Sequence, residues 1–243
     1  MTTNIYTFDF GNSNPKVGIW KDEIFYKTVL LNQFKVNNEL KNLIFLKSSV
    51  RPNKDQQISK ELNIEFENFI KFRKEKSFLD MPVNYSLTLG EDRLFQAYYI
   101  YKNCISKKTK NIILIDSGTF TTIDYITTQG FIGGYIIPGN QTYLDIYKQR
   151  GEQLTQFKAS ELGQSSQVPN DTQSAILNSL PTLLKSFYQD LYDKNPDSIC
   201  IITGGGSMLH HQILSKITNS TVNNDLIHKS LHYIHQITRS NYM

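Results

Sequence analysis

The chain has 243 residues, 39% of them apolar, and a formal charge of +4 spread along its length. That is room for one large domain or two small ones of ordinary globular composition. The densest basic cluster, Lys107-Lys108-Thr109-Lys110, lacks the length and aromatic interleaving of a nucleic-acid surface, and no apolar run reaches the ~20 residues of a membrane span.

The N-terminus runs straight into a mixed polar and aromatic strand, so no signal peptide is expected. Asn4 to Phe10 is apolar at alternate positions, and Lys16 to Trp20 can return as the second arm of a hairpin. Leu43 to Leu46 reads as a short buried strand. Lys54 to Phe69 has helical spacing, with Ile58, Leu62 and Phe66 on one face, and Glu91 to Cys104 is a second helix. Asn111 to Ile115 is a continuous apolar strand, followed by strands at Thr122 to Ile126 and Phe131 to Ile137. Gly163 to Asn170 reads as a polar loop. Thr172 to Tyr192 is helical, with Ile176, Leu180, Leu183, Leu184, Phe187 and Leu191 as its stripe, and Pro181 is expected to kink or restart it. Ser198 to Thr203 is a last buried strand, and the helix from Ser207 buries Leu209, Ile213 and Ile217. The two halves echo each other, which predicts lobes of 1–106 and 107–243. Cys104 and Cys200 read as small buried residues in a reducing compartment, and a cytoplasmic protein is expected.

Two turns carry the strongest chemical signal. Asp9-Phe10-Gly11-Asn12-Ser13-Asn14-Pro15-Lys16 and Asp116-Ser117-Gly118-Thr119 each leave an apolar strand through an acid, a Gly and small polar residues. Gly turns the backbone sharply, and backbone N–H groups with hydroxyls cradle an anion. An acid beside a phosphate implies Mg²⁺ between them. Two such turns predict two lobes closing on one nucleotide.

Gly90-Glu91-Asp92-Arg93 sits at a helix start. It reads either as a helix-capping acid with a solvated Arg or as a carboxylate base beside an Arg that holds an anionic substrate. Gly133-Gly134 with Pro138-Gly139 marks a bulged strand or room for a substrate, and Gly204-Gly205-Gly206 follows a buried strand where α/β sheets bind ligands. His228, His232 and His235 share a helical face. They are expected to form a solvated or interface face, not a zinc site.

In order along the chain, these motifs resemble those of the type III pantothenate kinases, of the acetate and sugar kinase, Hsp70 and actin superfamily. Asp9 to Ser13 with Lys16 resembles the family's opening phosphate motif, Gly90 to Arg93 its Gly-x-Asp-Arg, and Asp116 to Asp124 its second phosphate motif, with Phe120 in place of Ala. Gly133 to Gly139 matches Gly-Gly-x-Ile-x-Pro-Gly, Asp171 to Ile176 resembles Asn-Thr-x-x-Ala-Ile with Asp for Asn, and Thr203-Gly204-Gly205 resembles the adenosine motif. The resemblance implies an α/β fold of two ribonuclease H-like lobes with a nucleotide cleft between them, and ATP-dependent phosphorylation of pantothenate. It implies Asp92 as base, pantothenate held by Tyr85, Gly90, Glu91, Asp92 and Arg93, and ATP phosphates wrapped by Asp9, Phe10, Gly11, Asn12, Ser13, Asn14, Pro15 and Lys16, with Thr119. It further implies Mg²⁺ near Asp9, a monovalent cation (K⁺ or NH₄⁺) at Asp116, and a homodimer in which Thr172 reaches the partner's pantothenate. The bland reading of Thr172 is a cap on its own helix. The family's Tyr stands about seven residues before the motif's Gly, in a loop with Pro. Tyr85 stands five before Gly90 without the Pro, so either Tyr85 or another residue takes that place. The competing readings are a non-catalytic accessory factor of the same family, another small-molecule kinase of the same fold, and an actin-like assembly module.

Overall fold

A computed structural model describes residues 3–36, 42–151, 154, 157–163 and 167–242. In chain order the strands are β1 (Asn4–Phe10), β2 (Lys16–Lys21), β3 (Ile24–Leu30), β4 (Leu43–Ser49), β5 (Arg73–Lys74), β6 (Ser77–Phe78), β7 (Met81–Pro82), β8 (Asn111–Ser117), β9 (Phe120–Thr127), β10 (Gly130–Pro138), β11 (Ile199–Thr203) and β12 (Ser220–Val222). The helices are α1 (Pro52–Leu62), α2 (Glu91–Asn103), α3 (Asn140–Arg150), α4 (Thr172–Lys194), α5 (Ser207–Leu214) and α6 (Leu226–Tyr242). They gather into two compact units. Unit 1 is drawn from Met1–Cys104, Gln129–Phe131 and Asp225–Met243, and unit 2 from Ile105–Thr128 and Ile132–Asn224.

The unit 1 sheet runs β3-β2-β1-β4, with β1–β2 and β2–β3 antiparallel and β1–β4 parallel. One face of β1 carries Tyr6, Phe8 and Phe10, packed with Val17, Phe34 and Ile58. The alternation in β1 predicts burial on one side, yet both faces are covered. On the far face, Thr7 meets His228 of α6, with Nδ1 3.0 Å from Thr7 Oγ1, and the same hydroxyl accepts from Trp20 Nε1 at 3.2 Å. His232 stacks on Trp20 with ring centroids 3.9 Å apart and lies 2.6 Å from Glu23, while His235 Nδ1 lies 2.9 Å from Glu67. The three histidines are 1%, 6% and 5% exposed, which corrects the expectation of a solvated or interface face. Thr7, Glu23 and Glu67 satisfy a ring nitrogen on each, so the imidazoles can be buried.

Helix α1 stops at Leu62, short of the expected Phe69. Asn63 takes the left-handed conformation and Ile64 N donates to Ser59 O at 3.0 Å, a cap that Asn tolerates. Phe66 still joins the aromatic cluster, 5.0 Å edge-on to Phe8. Cys104 is half-buried, not buried as expected, because it lies just past the end of α2.

In unit 2 the order is β10-β9-β8-β11-β12, with β8–β9 antiparallel and β8–β11 and β11–β12 parallel. Its third-second-first-fourth strand order repeats that of unit 1, with β12 added. Ile113, Ile115, Cys200 and Ile202 of the sheet pack against Ile176, Leu180, Leu184 and Tyr188 of α4. Leu183 is 38% exposed and Ile217 is 41% exposed, so neither belongs to the core the periodicity gave it; α5 ends at Leu214, which is buried instead.

Helix α4 runs unbroken through Pro181, where a kink or restart was expected. Pro181 has no N–H for the carbonyl of Leu177, four residues back. Gly163 N donates to that carbonyl at 3.0 Å in its place. Gly163 has φ +73°, and a Cβ there would lie 3.3 Å from Pro181 Cβ and Cγ. Residues 164–166 of the expected polar loop lie outside the described residues.

Candidate functional site

Each unit presents its Asp-x-Gly turn at the carboxyl end of its parallel strands, the end at which open α/β sheets bind ligands. In unit 1, Asp9 pairs in register with Lys16 across β1 and β2, and Asn12, Ser13 and Asn14 between them are exposed. Arg51 Nη1 donates to Asn12 O at 3.0 Å and Val50 N to Phe10 O at 3.4 Å, so the end of β4 holds the turn. Gly11 and Gly118 were expected for their backbone angles, but neither has a positive φ. A Cβ on Gly11 would stand 3.8 Å from Asp9 Oδ1, an ordinary contact, so neither backbone angle nor close packing accounts for glycine there.

The start of α2 builds on the same strand end. Ser49 N donates to Glu91 Oε2 at 2.8 Å. Gly90 is the N-cap of α2, and a Cβ on it would lie 2.6 Å from Asp92 Oδ1; the missing side chain is the room the carboxylate occupies. Burial pushes the Asp92 carboxyl above the ordinary aspartate range, opposed by the Arg93 N–H, which donates to Oδ1 at 2.8 Å, and by the Arg93 charge. Burial raises Glu91 too, against the Ser49 hydrogen bond and Lys47. The Arg93 guanidinium is buried over two rings, 5.2 Å from the centroid of Tyr85 and 5.7 Å from that of Phe131. Arg73 Nη2 holds the Tyr85 carbonyl at 2.9 Å, and Asn84 N donates to Phe131 O at 2.8 Å. Unit 1 thus gathers Tyr85, Gly90, Glu91, Asp92 and Arg93, and through β4 ties them to the Asp9–Lys16 turn. Phe131 belongs to the same group and was not singled out from the sequence, because its pairing with Val83 is a contact between distant segments.

In unit 2 the turn after β8 is walled by the glycine segment after β11. Gly204 has φ +88°, and a Cβ on it would stand 2.5 Å from both Asp116 Oδ1 and Ser117 O. Gly204 is therefore packed against the Asp116 carboxylate and the Ser117 carbonyl, with no room for a side chain between them. Gly206 N closes on Ser117 O at 3.0 Å. The carbonyl of Thr119 accepts from Gly139 N at 2.9 Å and Thr142 Oγ1 at 2.7 Å. Beneath lies a buried pair absent from the sequence reading. His210 Nε2 is 2.9 Å from Asn140 Oδ1 and donates to it, which leaves Nδ1 as a buried acceptor with no partner among the described residues. Desolvation takes the His210 pKa down to about 4. Thr172 is the exposed first residue of α4, and the cap is Asp171, whose carboxylate accepts from Ser174 N at 2.8 Å. Capping is therefore not the work of Thr172. The stripe of α4 packs into the core of unit 2 through Ile176, Leu180, Leu184 and Leu191, while Leu183 is exposed.

The chain resembles the type III pantothenate kinases of Flavobacterium psychrophilum (24% identical, 96% of this chain and 98% of that one) and Pelagibacter ubique (28%, 92% and 95%). In structure it resembles a conserved protein from Campylobacter jejuni described as a Baf family transcriptional activator (TM-score 0.64, 21% identical, 97% and 99% covered). It also resembles MreB 5 of Spiroplasma citri (0.52, 9%, 98% and 98%). These likenesses show an α/β, actin-like ATPase fold. Residues 5–187 match the family model described as type III pantothenate kinase, and the chain belongs to that family.

Proposed function

We propose that this protein phosphorylates pantothenate at its primary hydroxyl with ATP, giving 4'-phosphopantothenate and ADP, the first step of coenzyme A biosynthesis. The observation that carries the reading is the seat of Asp92: a half-buried carboxylate made room for by Gly90, next to a buried guanidinium. Arg93, with Tyr85 and Phe131 against it, holds the pantothenate carboxylate; an arginine fork suits that partner. Asp92 accepts the proton of the attacking hydroxyl as its oxygen bonds to the γ-phosphorus and the bond to ADP breaks. The transition state is loose, so positioning and charge neutralisation dominate. The Asp9–Lys16 turn and Thr119 bind the phosphates. Asp9 would hold Mg²⁺ and Asp116 a K⁺ or NH₄⁺ ion, since carboxylate oxygens suit hard cations. Bound there, such cations supply charge neutralisation to the phosphates. The working form is a cytoplasmic homodimer, with Thr172 of the partner subunit reaching pantothenate. Its exposed position, not spent on a cap, supports this.

A substrate panel tests the reading. Purified protein with ATP and Mg²⁺ is offered pantothenate, a hexose, glycerol and acetate, in Na⁺ buffer and then with K⁺ or NH₄⁺ added. Mass-resolved phosphopantothenate that rises with K⁺ or NH₄⁺ is the expected result. Turnover of another acceptor in preference to pantothenate overturns the substrate, a flat response to cations overturns the role of Asp116, and no turnover at all favours a non-catalytic accessory factor.

A further inference from the structure

Unit 1 contains a cavity of about 370 Å³ that none of the residues above explains. Ile44, the second residue of β4, lines it, whereas the Asp9–Lys16 turn lies at the other end of that strand, near Ser49. Five residue steps separate the two, roughly 16 Å at ~3.3 Å each. The cavity therefore opens at the amino ends of the parallel strands.

Its chemistry is specific. Ile44, Phe69 and Phe72 supply an apolar floor. Lys71 and Arg239 stand exposed at the rim, Lys71 Nζ 5.1 Å over the Phe72 ring. The lining also holds one acid, Glu67, whose Oε2 lies 2.9 Å from His235 Nδ1, so two cations face one acid at the rim. Neither Lys71 nor Arg239 makes an ion pair among the described residues. Asn68 accepts from Ile70 N through Oδ1, so its amide N–H groups remain to donate. His235 also lines the cavity, but it is 5% exposed, and its Nε2 is enclosed by protein with no partner among the described residues. An apolar floor and a rim of two cations against one acid are the parts of a small-ligand pocket, and the volume falls within the ~300–1,000 Å³ of such sites.

We propose that this cavity is a small-molecule site separate from the Asp9–Lys16 turn, built for an organic anion with an apolar body. The anionic group meets Lys71 and Arg239, and the body lies on Phe69 and Phe72.

The test uses the full chain and 4-hydroxybenzoate as probe, with 4-hydroxybenzyl alcohol as its uncharged counterpart. Calorimetric titration should give saturable binding of one molecule per chain, at least about tenfold tighter for the anion than for the alcohol. The His235 ring resonances should shift on binding. The double variant Lys71→Glu, Arg239→Glu changes two exposed side chains, so its melting temperature should match wild type while affinity for the anion falls about tenfold or more. Three results would each overturn the proposal: no saturable binding up to about 10 mM, equal affinity for anion and alcohol, or binding that the double variant leaves unchanged. The readout is binding, not turnover, so failure here and failure of the kinase reading are separate outcomes.

Discussion

Asp92 occupies a position where folding and catalysis favour opposite protonation states. Its carboxyl is pushed above the ordinary value of 3.8 by burial. A carboxyl raised in the folded state contributes stability that is full below its unfolded value and is lost as pH rises through the folded value. A base must be ionised, so over the same interval activity should climb. Asp92→Asn keeps the shape and removes the charge. We expect its turnover to fall by about 10²- to 10⁴-fold while its melting temperature at pH 7 does not drop; initial rates and thermal melts check both halves. The buried histidines run the other way. His210 and His228 are held by desolvation at about 4, below the ordinary 6.5. The unfolded chain then binds more protons between those values, so stability falls as pH drops from about 6.5 to 4, at most by about 3 kcal/mol for each fully buried ring. Urea unfolding at pH 7.5 and 5 reads this slope. At this scale the motif residues were legible, because Gly90, Asp92 and Arg93 are adjacent and their spacing is the signal. Phe131 and the Asn140–His210 pair were not, since such partners lie up to 70 residues apart and only the fold brings them together.

At the scale of elements, periodicity located the strands and helices but not their ends or their covers. Helix α1 ends where Asn63 turns left-handed, and β1 is covered twice because α6 returns to it; both depend on tertiary partners that a window of sequence does not contain. Helix α4 makes the same point. The proline was visible, and the donor that replaces its missing N–H was not, since Gly163 lies in another segment. This arrangement predicts a cost for Gly163→Ala. The φ of +73° and the 3.3 Å approach to Pro181 should together lower stability by about 1–2 kcal/mol. Urea unfolding of unit 2 measures it, and a loss near zero would mean that Gly163 and α4 are not coupled.

For the whole molecule, the repeated strand order was legible as two Asp-x-Gly turns on similar patterns, and the family was legible from six motifs in sequence. Most of the α4 stripe packs into the core of unit 2, with Leu183 left exposed. What remains for a shared site is Thr172, exposed in unit 2, against Asp92 in unit 1. Subunit mixing decides it. Thr172→Ala and Asp92→Asn chains, unfolded and refolded together, should recover towards roughly a quarter of wild-type activity if sites are shared by a symmetric pair; a mixture no more active than its parents would assign each site to one chain. The return of α6 also sets an order of birth. The unit 1 sheet begins at Asn4, yet the helix that buries Thr7 and Trp20 starts at Leu226. At ribosomal speeds of ~5–20 residues per second, the first strand waits roughly ten seconds or more for its cover. Unit 2, nearly continuous from Ile105 to Asn224, has all its strands by then. The part made first should therefore mature last. A chain stopped after Asn224 is expected to protect the amides of β8 and β11 from hydrogen exchange and to leave those of β1 and β2 open, passing that stretch of its synthesis as a client for chaperones.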